Sequence, residues 1–139
     1  MEGRLLRLLR TLHAHQVQFI LVGGLSAVLQ GAPVHTQDVD IVPLREPENL
    51  TRLLAALQEL GAVYRTQPDV LGAIGRDEGY EQLLPQSHDL EIADNLRVRV
   101  LDLEAYIGIK AALGSEKDLA VLPILRQTLR ERQRDGKSE

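Results

Sequence analysis

Asp38 and Asp40 alternate with apolar residues in the run DVDIV, which Pro43 closes, and this period-two pattern predicts a strand with one polar face. On such a strand the two carboxylates point the same way, with Cα atoms roughly 6–7 Å apart at a rise of about 3.3 Å per residue. Like charges so placed repel, and a bound cation relieves the repulsion. Hard oxygen donors suit Mg2+ or Mn2+, which keep several waters and complete their shells with phosphate oxygens. Earlier in the chain stands VGGLSAV, where Gly23 and Gly24 let backbone approach a ligand and the helix that follows presents free N–H groups. Ser26 adds a hydroxyl donor. The turn is neither GxGxxG nor a P-loop, and an isolated DxD is commonly the solvated face of an edge strand. Taken in this order and spacing, the two features place a triphosphate between backbone donors and a divalent ion.

The elements that must position these residues can be read from periodicity. QFILV is a β-branched and aromatic run ending at Gly23, and LSAVLQ reads as a short helix closed by Gly31. Ahead of it, Leu5, Leu8, Leu9 and Leu12 share one face of a helix with no cleavage site after it, so a core helix is expected rather than a signal peptide. Pro47 opens another helix, with Leu50, Leu53, Leu54 and Leu57 on one face and Gly61 as its end. AVYRT and DVL are strand candidates, and GRDEGYEQLLPQSH, punctuated by Gly75, Gly79 and Pro85, predicts loop and short helix. DLEIADNLRVRVL predicts a hairpin turning at Asp94-Asn95. Asp102 opens a helix that breaks at Gly114, Ser115 opens the next, Pro123 is positioned to kink it, and the stretch from Arg130 onward is expected to fray. The fold class expected is α/β of the α+β kind, a small mixed sheet flanked by helices with helices at the C-terminus. One domain spans residues 1–139, of which 126–139 form a basic helix end and tail.

Composition narrows the function classes. The chain has 139 residues, 44% hydrophobic and 26% charged, in the range of a globular protein, and no apolar run approaches the ~20 residues of a membrane span. There is no cysteine, hence no disulfide, thiol nucleophile or cysteine zinc site, which suits a cytoplasmic protein. A net charge of −4 argues against coating nucleic acid by bulk electrostatics. One Phe, three Tyr and no Trp leave little for base stacking.

The segment LVGGLSAVLQGAPVHTQDVDIV resembles the signature of minimal nucleotidyltransferases of the DNA polymerase β superfamily, in which Gly-Gly or Gly-Ser precedes a helix and a T-x-D-x-D strand follows. Thr36, Asp38 and Asp40 match that strand. With PENLTRLLAALQELGA, DVLG and LRVRVLDLEAYIGIKAALGSEKDLAVLP, the likeness extends over roughly residues 16 to 125 to the abortive-infection (AbiEii-like) nucleotidyltransferases, many of them toxins. The resemblance implies a nucleotidyltransferase fold and transfer of a nucleoside monophosphate from an NTP to an acceptor hydroxyl of an RNA such as tRNA, a protein or a small molecule. It further implies two metal ions and an antitoxin partner. Asp38 and Asp40 would hold both metals, Asp69 would complete one metal site and help deprotonate the acceptor, and Gly23, Gly24 and Ser26 would hold phosphates. Thr36 and Asp118 fall in the nucleotide-binding pattern, and Lys110 would neutralise phosphate charge. The family's Arg two residues ahead of the Thr is Val34 here, and its Arg after the later glycine is Ser115.

Other polar residues have plainer readings. Asp89 and Glu91 alternate with Leu90 and Ile92 as a solvated strand face, and Ser115 and Asp118 stand as in a capping box. His13 and His15 diverge on a helix, His35 is a loop histidine, and His88 has no neighbour at ligand spacing. Arg4, Arg7 and Arg10 form a stripe, and Arg126, Arg130, Arg132, Arg134 and Lys137 load the C-terminus; the default for both is solvated surface, and with tRNA or another nucleic acid as acceptor these are the residues that would steer it. The alternatives to an enzyme are an NTP-binding module without catalysis and a pure interaction protein.

Overall fold

A computed structural model describes residues 3–61 and 79–135. Its elements are α1 (Arg4–Ala14), β1 (Phe19–Val22), α2 (Gly23–Leu29), β2 (Asp40–Pro43), α3 (Pro47–Glu59), α4 (Tyr80–Leu83), β3 (Ser87–Ala93), β4 (Leu96–Leu101), α5 (Leu103–Leu113) and α6 (Glu116–Arg134). A 3-10 turn at Leu84–Gln86 links α4 to β3. The described strands form one mixed sheet in the order β2-β1-β4-β3, with β1 antiparallel to β2, parallel to β4, and β3–β4 as the antiparallel hairpin. The α+β class read from the sequence holds. AVYRT, DVL and Gly75 lie outside the described residues.

β1 explains the layering. All four of its residues are buried, because successive side chains face opposite layers and both layers are covered. Phe19 and Leu21 pack with Leu9 and Leu12 of α1, Leu53 and Ala56 of α3, and Leu96, Val98 and Val100 of β4. Ile20 and Val22 face Val42, Tyr106 and Ile107 of α5, and Leu122 and Leu125 of α6. Each fully buried aliphatic side chain contributes roughly 1.5–3 kcal/mol relative to exposure.

Buried amides tie the layers together. Asn49, 1% exposed, accepts from Gln18 N at 2.7 Å and donates to the carbonyls of Gln18 and Leu44, fastening α3 to the entry of β1. Gln30 donates to Ser26 O at 3.0 Å and Leu101 O at 2.8 Å and accepts from Leu103 N at 3.1 Å, so it joins the end of α2 to the β4–α5 junction.

Several boundaries differ from the sequence reading. The two glycines are the first residues of α2 rather than a turn before it. β2 begins at Asp40, because β1 ends at Val22 and offers no partner beyond the Val22–Asp40 pair; Asp38 therefore lies in the loop ahead of the strand, and Pro43 is the strand's last residue. Leu54 is 52% exposed, off the face that buries Leu53. α6 runs continuously through Pro123 to Arg134, and the Arg132 guanidinium donates to Gln30 O at 2.9 Å, so the helix is held where fraying was expected. The hairpin turn at Asp94-Asn95 and the break at Gly114, whose φ of +66° caps α5, are as read.

Candidate active site

The register between β1 and β2 sets Asp40 opposite Val22, the last residue before the glycines. Gly23 adopts φ +73°, and a β-carbon there would stand 2.5 Å from Asp40 Oδ2. A β-carbon on Gly24 would meet Thr36 at 3.3 Å. Gly23 thus lies flat against Asp40, which only a missing side chain allows, and Gly24 fits tightly against Thr36. Asp38 is held by its own loop: its N–H donates to Thr36 Oγ1 at 3.4 Å, while Arg4 of α1 donates to Gln37 O at 3.2 Å.

From the other side α5 and α6 close the site. Lys110 Nζ donates to Asp118 Oδ1 at 2.8 Å and lies 5.6 Å from the centroid of the Tyr106 ring. Asp118 is fixed in turn by Ser115, whose hydroxyl donates to Oδ2 at 2.6 Å and accepts from Asp118 N at 3.0 Å, the N-cap of α6. Gly24, Val34, Thr36, Asp38, Asp40, Tyr106, Lys110 and Lys117 are among the residues lining one cavity of about 350 Å3. Larger hollows, about 570 Å3 beside His13 and Arg97 and about 500 Å3 along the outer face of α5, contain neither aspartate of the motif nor the glycines.

Charge in the cavity is poised. Burial pushes the Asp40 carboxyl above the ordinary carboxylate value, the Asp38 charge adds to this, and the Lys110 ammonium opposes it. Burial works against the charge on Lys110, but the Asp118 and Tyr106 oxygens outweigh it and leave the ammonium above its usual value. Hydrogen bonds from Lys110 and then Ser115 hold Asp118 below the usual range. Burial raises the Tyr106 phenol despite the lysine.

The structure brings Asp38, Asp40, Thr36, Gly24 and Lys110 to one cavity, with Gly23 packed behind Asp40 and Asp118 behind Lys110. Ser26 is not brought there: it is fully buried and its hydroxyl donates to Gly23 O at 2.7 Å, a tie within the first turn of α2. Asp69 lies outside the described residues. Among the described residues no group of three or more His, Cys, Asp or Glu side chains could hold a metal, but the Asp38–Asp40 pair offers hard oxygens whose repulsion a divalent cation would relieve. Asp89 faces Arg99 across the hairpin at 3.8 Å, away from the cavity. His88 Nδ1 contacts Asp102 Oδ1 at 2.6 Å, and His15 Nε2 contacts Glu59 Oε1 at 2.7 Å. Tyr106 escaped the sequence reading; its signal is a position one helical turn before Lys110, where side chains share a face.

Among the described residues no helix is long and apolar enough to cross a membrane. Comparison with protein-family models, with curated proteins and with solved structures finds no match to this chain.

Proposed function

We propose that the chain is a metal-dependent nucleotidyltransferase, moving a nucleoside monophosphate group from an NTP onto an acceptor hydroxyl. The observation that carries this reading is the convergence of two aspartates, a glycine backbone and a lysine on one cavity, from elements far apart in sequence. Asp38 and Asp40, with Asp69 as the third acid implied by the resemblance, would hold Mg2+ or Mn2+. Such an ion supplies positive charge to the attacking and departing oxygens. In the reaction the acceptor oxygen attacks the α-phosphorus, the bond from that phosphorus to the β-phosphate's bridging oxygen breaks, and pyrophosphate leaves. The hydroxyl proton passes to a carboxylate, the role the resemblance gives Asp69. Lys110, charged and held by Asp118, counters charge on the phosphates, and Gly24 lets them approach the backbone. The likeness to abortive-infection enzymes extends the proposal to an RNA, protein or small-molecule acceptor and to a toxin paired with an antitoxin.

A second reading is favoured by Val34. It lines the cavity and packs on the apolar core where the family carries arginine, which suits an NTP-binding module without transfer. Incubating the protein with Mg2+, each α-labelled NTP and a cell extract separates the two. Covalent label abolished by Asp38→Asn and by Asp40→Asn is expected for the enzyme. Thermal stabilisation by NTP and Mg2+ without labelling selects the binding module, and neither effect overturns both readings.

A further inference from the structure

Arg97 and Arg99 stand two residues apart on β4 and so project from the same face of the strand. Both border the hollow of about 570 Å3 that opens where α1 ends and β1 begins. β1 and β4 pair at Leu21–Val100, and the hollow lies ahead of that pair, toward the first residues of the two strands. The cavity of Asp38 and Asp40 lies past the other end of β1, and no residue lines both. The hollow's volume falls within the ~300–1,000 Å3 of small-molecule sites.

Charge decides what it can take. His13, Arg97 and Arg99 line it and no carboxylate does, although the chain as a whole carries a net charge of −4. Arg99 is already held, because its Nη1 donates to Ser87 Oγ at 3.1 Å and its Nε lies 3.8 Å from Asp89 Oδ1. This fixes the guanidinium and leaves most of its N–H donors uncommitted. Arg97 is exposed, and among the described residues no hydrogen bond or ion pair engages its guanidinium; Glu91, opposite it in the hairpin register, makes none with it. Buried Val17 and Phe19 and the half-buried Tyr80 give the same hollow an apolar and aromatic border. A guanidinium is always charged and matches pairs of oxygens on a carboxylate or a phosphate. Two of them balance the charge of about −2 on a phosphate group, which a single carboxylate does not carry.

We propose that this hollow is a second binding site, for a small molecule that bears a phosphate group, with Arg97 and Arg99 as the side chains that grip the phosphate. It stands apart from the cavity of Asp38 and Asp40 and does not rest on the nucleotidyl-transfer reading.

Inorganic pyrophosphate is the first probe, added in millimolar steps to the 15N-labelled full chain in EDTA while backbone amide signals are followed. Saturable shifts are expected at Gln18, Phe19, Val98 and Arg99, and their absence overturns the proposal. Any response at Gly24 reports the other cavity and is read separately. Arg97 is exposed and holds no other side chain, so Arg97→Gln is expected to fold and to weaken binding at the hollow roughly tenfold, the loss of one charge-assisted contact, with the Gly24 response unchanged. Unaltered binding in Arg97→Gln overturns the proposal. Arg126→Gln removes the same charge from the exposed face of α6 and is expected to leave the hollow's affinity as it was; a loss equal to that of Arg97→Gln shows attraction by overall charge alone and also overturns it. ADP as a second probe tells the sources of the phosphate apart. Tighter binding than pyrophosphate, with shifts spreading to Tyr80, supports a phosphate carried on a ring-bearing molecule, and equal or weaker binding supports free phosphate or pyrophosphate as the ligand.

Discussion

Gly23 and Asp40 are in direct contact, so close that a β-carbon on the glycine would stand 2.5 Å from the carboxylate oxygen. The glycine's left-handed backbone, at φ +73°, is what turns the chain out of β1 into α2 at this point. Asp40 is thereby wedged between a strand partner, Val22, and the first residue of a helix.

Gly23→Ala should therefore act twice. The strained backbone costs about 1–3 kcal/mol in chemical unfolding. If the proposed metal site is right, the displaced Asp40 should also remove the thermal stabilisation expected from Mg2+ in the wild type. Gly24→Ala, whose new atom would meet Thr36 at a softer 3.3 Å, should cost less on both measures.

Asp40 itself should be a destabilising residue in the metal-free protein. Its carboxyl is raised in the folded state by burial first and by Asp38 second, so the folded chain binds this proton more tightly than the unfolded chain does. Stability linked to it is greatest below the unfolded carboxylate value of about 3.9 and falls as pH rises through the higher folded value. With EDTA present, Asp40→Asn is expected to melt above wild type at pH 7, and the difference should vanish toward pH 3. Added Mg2+ should raise the wild-type melting temperature and narrow the gap.

Gln30 predicts a purely structural effect. Replacing it by Leu keeps most of the volume but strands Leu101 O and Leu103 N, each buried polar group costing about 1–3 kcal/mol. Urea unfolding should show a loss of roughly 2–4 kcal/mol with an unchanged m-value. Because the amide ties α2 to the start of α5, the loss should also loosen the relation between Gly24 and Lys110.

Much of this was legible in the sequence because each feature is local. Leu9 and Leu12, the Asp94-Asn95 turn, Gly114 and the Ser115 cap announce their elements through neighbours within a turn or a strand. Thr36, Asp38, Asp40 and the glycines were legible as a motif. Non-local matters were hidden. That β2 starts at Asp40 follows from where β1 ends, and that Ser26 points into the core follows from how α2 sits on the sheet. The continuation of α6 past Arg130 depends on Gln30 accepting from Arg132, a hundred residues away in the chain. Tyr106 was hidden because an aromatic on an apolar helix announces a core residue, and only its packing against α2 and α6 brings the ring to the cavity beside Lys110.

The ion pair of Lys110 and Asp118 gives a pH prediction that needs no substrate. Asp118 is lowered by Lys110 first and Ser115 second, so its share of stability is complete above the unfolded value of about 3.9 and is lost as pH falls through the lower folded value. For Lys110 burial opposes the charge, but its oxygen partners prevail and the folded value is raised; its share is complete below about 10.4 and lost as pH rises through the folded value. The stability gap between wild type and Lys110→Met should thus be flat through the neutral range and close at both extremes. In Asp118→Asn the acidic limb of the profile should flatten while the alkaline limb persists in weaker form, since Tyr106 still faces the ammonium. Urea midpoints measured across pH for the three proteins test this directly, and a gap that persists unchanged to pH 3 would show that the pair is not what Lys110 contributes.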